Sequence, residues 1–144
     1  MTPIKRPLAA AGAAVLLGLT LSACGSDGYP ADASKKDFCG SVEDVITETS
    51  AVEGEEPTEA EWKKLQKAYE DLGEVGTPED IGDAERNGFE VIVDAITDLD
   101  YDEAKKSFGD EDGDTIPGVS KDDQKDAEKF FEYLGTTCAD QLGG

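Results

Sequence analysis

The chain contains no histidine, and this absence excludes several kinds of active site at once. Imidazole is the usual general base near neutral pH and a common metal ligand, so histidine-based triads, general bases and metal sites are excluded. Cysteine is scarce too, with three residues among 144. Carboxylates are abundant, but no pair of them stands in an apolar neighbourhood that could raise one pKa for acid–base catalysis. We therefore expect a protein that is not an enzyme.

Basic side chains are also few, with 13 lysines and arginines against 34 acidic residues and a formal net charge of −21. A chain this acidic is repelled by nucleic acid and by anionic lipid headgroups, so nucleic acid is excluded as a partner. The partners that remain are cations and basic surfaces. The same acidity also keeps an exported protein soluble without any specific recognition.

Acidic residues are missing from positions 1–23, whereas the rest of the chain is rich in them. Lys5 and Arg6 form a short basic start, and an apolar stretch follows from Leu8 to Leu21. That stretch is too short to span a bilayer comfortably, so residues 1–23 are predicted to be a secretory signal peptide rather than a transmembrane helix.

The end of this signal, Leu21-Ser22-Ala23-Cys24, resembles the lipobox of bacterial lipoproteins. The resemblance implies that Cys24 becomes the first mature residue and carries a diacylglyceryl group. Two acyl chains anchor a protein stably, because each buried CH₂ contributes about 0.8 kcal/mol. The expected location is the cell membrane, on its extracytoplasmic face, and the mature chain keeps 11 basic and 34 acidic side chains, a charge of −23. The alternative is an ordinary signal peptide whose Cys24 later joins a disulfide.

Residues 24–34 show no apolar periodicity and are predicted to be a flexible tether. Beyond it, Cys39 and Cys138 form an even pair in a chain exported to an oxidising compartment, which predicts a disulfide between them. A reactive or metal-binding pair is the alternative, but it lacks a histidine or a nearby third cysteine.

Residues 35–144 have the patterns of an all-α domain. Thr58 with Glu61 matches a capping box, and Ser120 with Asp123 matches a helix cap. Thr77-Pro78 resembles the start of a further helix, with proline at its first position. Apolar residues follow these signals at helical spacing and are the expected core: Phe38, Val42, Val45 and Ile46; Trp62, Leu65, Tyr69 and Leu72; Phe89, Ile92, Val93, Ile96 and Leu99; Ala127, Phe130, Phe131 and Leu134.

Four principal helices with short connections predict an up-down bundle closed by the one disulfide. In this topology Cys39 and Cys138 share a pole with the turn at 73–80, where the tether enters. The segments 50–57 and 100–119 should then meet at the opposite, distal pole, and both are rich in acid. Any recognition is expected at this outward-facing pole.

One segment suggests metal chemistry. The stretch 110–117, DEDGDTIP, resembles aspartate-rich calcium loops of thrombospondin-type repeats, which makes Asp110, Asp112 and Asp114 candidate Ca²⁺ ligands. As an EF-hand it fails twice, because Thr115 replaces the glycine at position 6 and Lys121 replaces the glutamate at position 12. The alternative is a solvated acidic turn without bound metal.

The chain as a whole resembles the small, acidic, helical lipoproteins of unassigned role that high-GC Gram-positive bacteria encode. The lipobox, the composition and segments such as GTPEDIGDAERNGFEVIVDAI carry this resemblance, which implies no activity. The predicted function is a non-enzymatic envelope lipoprotein without a cofactor, which binds or scaffolds another envelope protein or a cationic ligand. The alternative is a module that binds Ca²⁺ through the acidic loop.

Overall fold

The computed structural model describes residues 28–54, 56–108 and 119–142. All regular secondary structure within these ranges is α-helical, so the predicted all-α fold is confirmed. The helices are α1 (Lys35–Ser50), α2 (Glu59–Val75), α3 (Asp83–Asp98), α4 (Tyr101–Phe108), α5 (Lys121–Thr137) and α6 (Ala139–Leu142).

Short polar caps fix where α1, α2 and α5 begin. Thr58 and Glu61 form the predicted capping box: the Thr58 N–H donates to Glu61 Oε2 at 2.7 Å, and the Glu61 N–H donates to Thr58 Oγ1 at 3.3 Å. The Ser120 hydroxyl accepts from the Asp123 N–H at 3.3 Å, and Ser34 caps α1 in the same way. Each cap satisfies backbone donors that the first turn leaves unpaired.

The third helix begins later than the sequence predicted. Thr77-Pro78 does not open it, and α3 starts instead at Asp83. The reason is tertiary: the Thr77 N–H donates to the Pro30 carbonyl at 2.9 Å, and the Thr77 carbonyl accepts from the Ala33 N–H at 3.1 Å. These bonds to a distant segment hold Thr77 in the connection between α2 and α3 rather than in a helix cap.

Residues 28–34, which we call the N-terminal strap, lie against the bundle. The Tyr29 ring packs edge-on against Phe89 with 5.4 Å between ring centroids, and its hydroxyl donates to Asp94 at 2.5 Å. Arg86 donates to the Tyr29 carbonyl at 2.6 Å. The predicted tether over residues 24–34 therefore differs from the structure in its last seven residues, because buried aromatic surface and hydrogen bonds dock them.

Two glycines allow backbones to approach more closely than any side chain would permit. Gly76 has φ +75°, and a Cβ there would lie 2.1 Å from the Pro30 carbonyl oxygen of the strap. A Cβ at Gly88 of α3 would lie 2.1 Å from the Asp126 carbonyl oxygen of α5. Gly76 thus allows the strap to pack against the end of α2, and Gly88 allows the close approach of α3 to α5.

The helices pack in chain order, α1 on α2, α2 on α3 and α3 on α5, while α1 and α5 contact each other only sparsely. Phe38, Phe89 and Phe130 supply the centre of the core from three different helices. Their ring centroids are 5.6–6.4 Å apart, within the range of favourable aromatic pairs. All three rings are buried, so they hold the bundle together across its middle.

A second, smaller core lies toward the distal pole, where the short helix α4 covers the start of α2. Trp62, Leu65 and Ala104 are its buried members. The Trp62 indole N–H donates to the Leu99 carbonyl at 3.3 Å, so the tryptophan also ties α2 to the end of α3.

Cys39 and Cys138 form the predicted disulfide, with 5.4 Å between their Cα atoms. Both are buried, and they join the first turns of α1 to the end of α5 across 99 residues of sequence. The predicted bundle closed by one disulfide is confirmed.

Two residues predicted for the core are exposed instead. Ile46 of α1 and Phe131 of α5 show 44% and 54% of their surface. Both belong to apolar stripes whose other members are buried or partly buried, so membership of a stripe does not by itself bury these two side chains.

Candidate binding surface

The sequence-predicted site residues fall into two groups. Cys39 and Cys138 are described and form the disulfide. Cys24 and the candidate calcium ligands lie outside the described residues: Asp110, Asp112 and Asp114.

The distal pole brings the predicted segments together as far as they are described. The Tyr101 hydroxyl donates to the Pro57 carbonyl at 3.2 Å, and Lys105 approaches Glu56 at 3.8 Å. The loop after α1 therefore contacts α4, as the up-down topology requires. Across residues 28–54, 56–108 and 119–142 no group of three or more cysteine, aspartate or glutamate side chains is arranged to hold a metal ion.

A groove between α3, α4 and α5 combines an apolar floor with acidic walls. We call it the acid-lined groove; its volume is about 430 Å³. It is lined by Val91, Asp94, Ala95, Asp98, Leu99, Glu103, Val119 and Asp123.

Helical spacing explains why one element supplies half of this groove. Val91, Asp94, Ala95 and Asp98 follow one another at intervals of three, one and three residues, so they share one face of α3. Asp94 and Asp98 are an i, i+4 pair of like charge, which disfavours a helix by a few tenths of a kcal/mol when no counter-charge is near. The described part of the chain pairs neither carboxylate with a basic side chain, so the groove retains a negative field.

The strap fixes the orientation of one groove carboxylate. Tyr29 donates its hydroxyl to Asp94, and burial followed by this hydrogen bond raises the pKa of the Tyr29 phenol far above its ordinary value of 10. The phenol is thus a proton donor at every physiological pH, and it holds Asp94 against the helix. Asp94 consequently belongs both to the groove wall and to the docking of the strap.

The shallow groove between α1 and α2 has a different character. Its volume is about 300 Å³, and lysines and carboxylates line it together, including Lys64, Lys67, Asp44 and Glu48. Lys67 is already paired with Asp71 at 2.7 Å. This groove carries both signs of charge and offers no preference for a charged ligand.

Sequence reasoning directed attention to the distal loops and missed the face of α3. The sequence did contain a signal for this surface. Two aspartates one turn apart share a face of α3 with Val91 and Ala95, and this face lies beside the apolar stripe that forms the core. Only the packing of α4 and α5 beside this stripe makes it the floor and wall of a groove.

Comparison with protein-family models, with curated proteins and with solved structures gave no match. None of the described helices combines the length and the apolar character that crossing a membrane requires.

Proposed function

We propose that this chain is a non-enzymatic, lipid-anchored protein of the cell envelope that binds a basic segment of another envelope protein. In this proposal Cys24 carries the lipid on the extracytoplasmic face of the cell membrane, and the acid-lined groove receives lysine or arginine side chains. The observation that carries the proposal is the groove itself, in which four carboxylates surround an apolar floor.

The docked strap supports anchoring close to the bilayer. Gly28 is the fourth residue after Cys24, and four residues span at most about 14 Å when fully extended. A lipid on Cys24 would therefore keep the strap side of the bundle near the membrane. The distal end of the groove, at Leu99 and Val119, would then point outward, where it is accessible to a partner.

The charges of the groove support a basic partner. A ligand cation placed among Asp94, Asp98 and Glu103 would relieve their mutual repulsion, and the apolar floor would pack against the methylene groups of a lysine or arginine side chain. An anionic ligand would be repelled by the same carboxylates.

The titration behaviour of the described carboxylates supports a role without catalysis. The lowered pKa values of Glu61, Asp80 and Asp126 arise first from hydrogen bonds with Thr58, Lys35 and Lys129, respectively. The bond with Thr58 caps α2, the bond with Lys35 joins α1 to the connection before α3, and the bond with Lys129 is a surface pair within α5. The shifts therefore reflect the construction of the fold rather than an acid–base pair in a cleft.

The anchor is tested by intact-mass analysis of the protein extracted from membranes. We expect the mass of a chain that begins at a lipid-modified Cys24, and we expect Cys24→Ala to give an unprocessed or released form. An unmodified Cys24 in membrane-derived protein would refute the anchor without touching the binding surface.

The groove is tested by titrating the full-length protein with a lysine-rich decapeptide at low ionic strength. Asp98→Asn with Glu103→Gln should weaken binding several-fold, whereas the matched variant Glu70→Gln with Glu74→Gln, on exposed positions of α2, should change it little. Equal weakening by both double variants would show that only the net charge attracts the peptide, and the groove would lose its role.

A further inference from the structure

Tyr29 of the N-terminal strap approaches Asp94 from outside the acid-lined groove. Its hydroxyl donates to Asp94 Oδ1, yet the tyrosine does not belong to the lining of the groove. Tyr29 instead lines a smaller cavity of about 250 Å³, together with Gly28, Glu90 and Asp94. Asp94 thus lies between the groove and this cavity. The hydrogen bond from Tyr29 engages Oδ1 on the strap side and leaves Oδ2 for a ligand in the groove.

Contacts from several directions fix the position of the Tyr29 side chain. The ring packs edge-on against the buried Phe89. A Cβ at Gly73 of α2 would lie 2.7 Å from Tyr29 Cε1, so glycine allows the ring to lie close against this helix. Arg86 donates to the Tyr29 carbonyl at 2.6 Å and also donates to Glu90 at 3.1 Å, which holds the guanidinium in place. The fold therefore directs the Tyr29 hydroxyl before any ligand binds.

A second carboxylate of the groove also has one oxygen engaged. The hydroxyl of Ser120, the N-cap of α5, donates to Asp123 Oδ2 at 2.7 Å. Two of the four groove carboxylates therefore accept a hydroxyl group at one oxygen. This matters for the choice between basic ligands, because a guanidinium binds best as a fork on both oxygens of a carboxylate. An ammonium group is a point charge and needs only one oxygen.

We propose that Tyr29 determines which cation the acid-lined groove prefers at Asp94: it withholds Oδ1 from an arginine fork and leaves a single oxygen that suits lysine. This preference rests on the proposed function, because it concerns the basic segment that the groove receives. The partner is then a segment that places lysine, rather than arginine, at the strap end of the groove. Tyr29 acts as a positioning residue, since it reaches the ligand only through Asp94.

Two labelled decapeptides of equal charge test this preference, one rich in lysine and the other with arginine at the same positions. Each is titrated with the full-length protein at low ionic strength, and the ratio of the two dissociation constants is the readout. Tyr29→Phe keeps the ring and the net charge but frees Oδ1. It should strengthen binding of the arginine peptide about fivefold, the effect of roughly one hydrogen bond, and change binding of the lysine peptide less than about twofold.

Two further variants locate the effect. Tyr133→Phe is the matched control, because it removes a tyrosine hydroxyl of α5 that does not line the groove, and it should leave the ratio unchanged. In the Asp94→Asn background, Tyr29→Phe should no longer change the ratio, because position 94 then offers arginine no carboxylate. A change in overall electrostatic attraction would alter the affinities of both peptides alike, since their charges are equal. Circular dichroism verifies that each variant remains helical.

The variant Asp98→Asn with Glu103→Gln separates failure of this preference from failure of the groove. If that double variant weakens both peptides, the groove is their binding site. An unchanged ratio in Tyr29→Phe, or a shift that persists in the Asp94→Asn background, would then overturn the role of Tyr29 and leave the groove in place. If the double variant weakens neither peptide, the proposed function and this preference fail together.

Discussion

At the residue scale, the effect of replacing a glycine inside a helix depends on what lies beside it. Gly88 faces the backbone of α5, whereas nothing lies within 4 Å of the position that a Cβ would take at Gly135. Both are helix-interior positions, where glycine alone is unfavourable relative to alanine by roughly 0.5–1 kcal/mol. Their surroundings therefore decide whether alanine stabilises or destabilises.

Gly88→Ala should destabilise the protein by about 1–3 kcal/mol, because its methyl group would force α3 away from the Asp126 carbonyl. Gly135→Ala is the matched control on the partner helix and should stabilise by roughly 0.5–1 kcal/mol. Urea unfolding followed by circular dichroism measures both. Stabilisation by Gly88→Ala would show that α3 and α5 do not approach as closely as described.

The raised pKa of Tyr29 predicts that the folded protein loses stability at alkaline pH. Its phenol has a raised pKa in the folded protein, so above pH 10 the unfolded chain releases a proton that the folded chain retains. Its contribution to stability is complete below pH 10 and falls as the pH rises above that value. The slope of melting temperature against pH between 9 and 11 should be smaller for Tyr29→Phe than for the wild type.

Tyr69 provides an internal reference, because burial raises its pKa too and the Tyr29→Phe variant retains it. The residual alkaline slope of that variant should therefore not be zero. Identical slopes for the two proteins would show that the strap does not hold the Tyr29 phenol in its protonated form.

At the scale of elements, local signals predicted the starts of two helices and failed for the third. Thr58-Glu61 and Ser120-Asp123 satisfy backbone donors within their own helices, so their effect needs no other part of the chain. Thr77-Pro78 has an equally good local pattern, but its backbone hydrogen-bonds with the strap. A local signal is reliable where no distant segment competes for the same donors.

The disulfide links the first and last principal helices, and its removal tests how firmly the bundle is closed. Cys138→Ser should lower the free energy of unfolding by roughly 4–5 kcal/mol, because a bridge across about 100 residues restricts the unfolded chain strongly. Thermal melting of the wild type and the variant, both without reductant, measures the change. A shift no larger than that of the conservative core variant Val93→Ala would contradict this chain-entropy effect.

At the scale of the whole molecule, charge dominates. With a formal net charge of −21 on the chain, the carboxylates of the distal pole repel one another, and any counter-ion should stabilise the fold. We predict that millimolar Ca²⁺ and Mg²⁺ raise the melting temperature alike and that sufficient NaCl reproduces the effect, because screening requires no site.

A variant of the candidate calcium loop is the control for this prediction. Asp112→Asn with Asp114→Asn should leave the response to divalent cations largely intact, because the position-12 carboxylate of an EF-hand is absent. A saturable micromolar response that prefers Ca²⁺ and disappears in this variant would establish a metal site and favour the calcium-binding alternative.

Local residue patterns were enough to predict the all-α bundle, the cysteine pair and the principal helices, apart from the start of α3. Periodic apolar residues define which face of a helix is buried, and capping residues act within one turn, so both can be recognised locally. Cys39 and Cys138 could be paired from sequence because they are the even pair that remains beside Cys24, and the predicted topology agrees by bringing the start of α1 and the end of the last principal helix to one pole.

Which apolar residues remain exposed, and where a groove forms, depends on the packing between helices and could not be predicted from local patterns. Ile46 and Phe131 continue the same stripes as the buried Val42 and Phe130, and nothing in their spacing reveals that these two side chains remain exposed. Asp98 becomes a groove wall only because α4 and α5 pack beside α3. The physical reason is that periodicity fixes the direction of a side chain on its own helix, whereas burial depends on how far away the neighbouring helix packs.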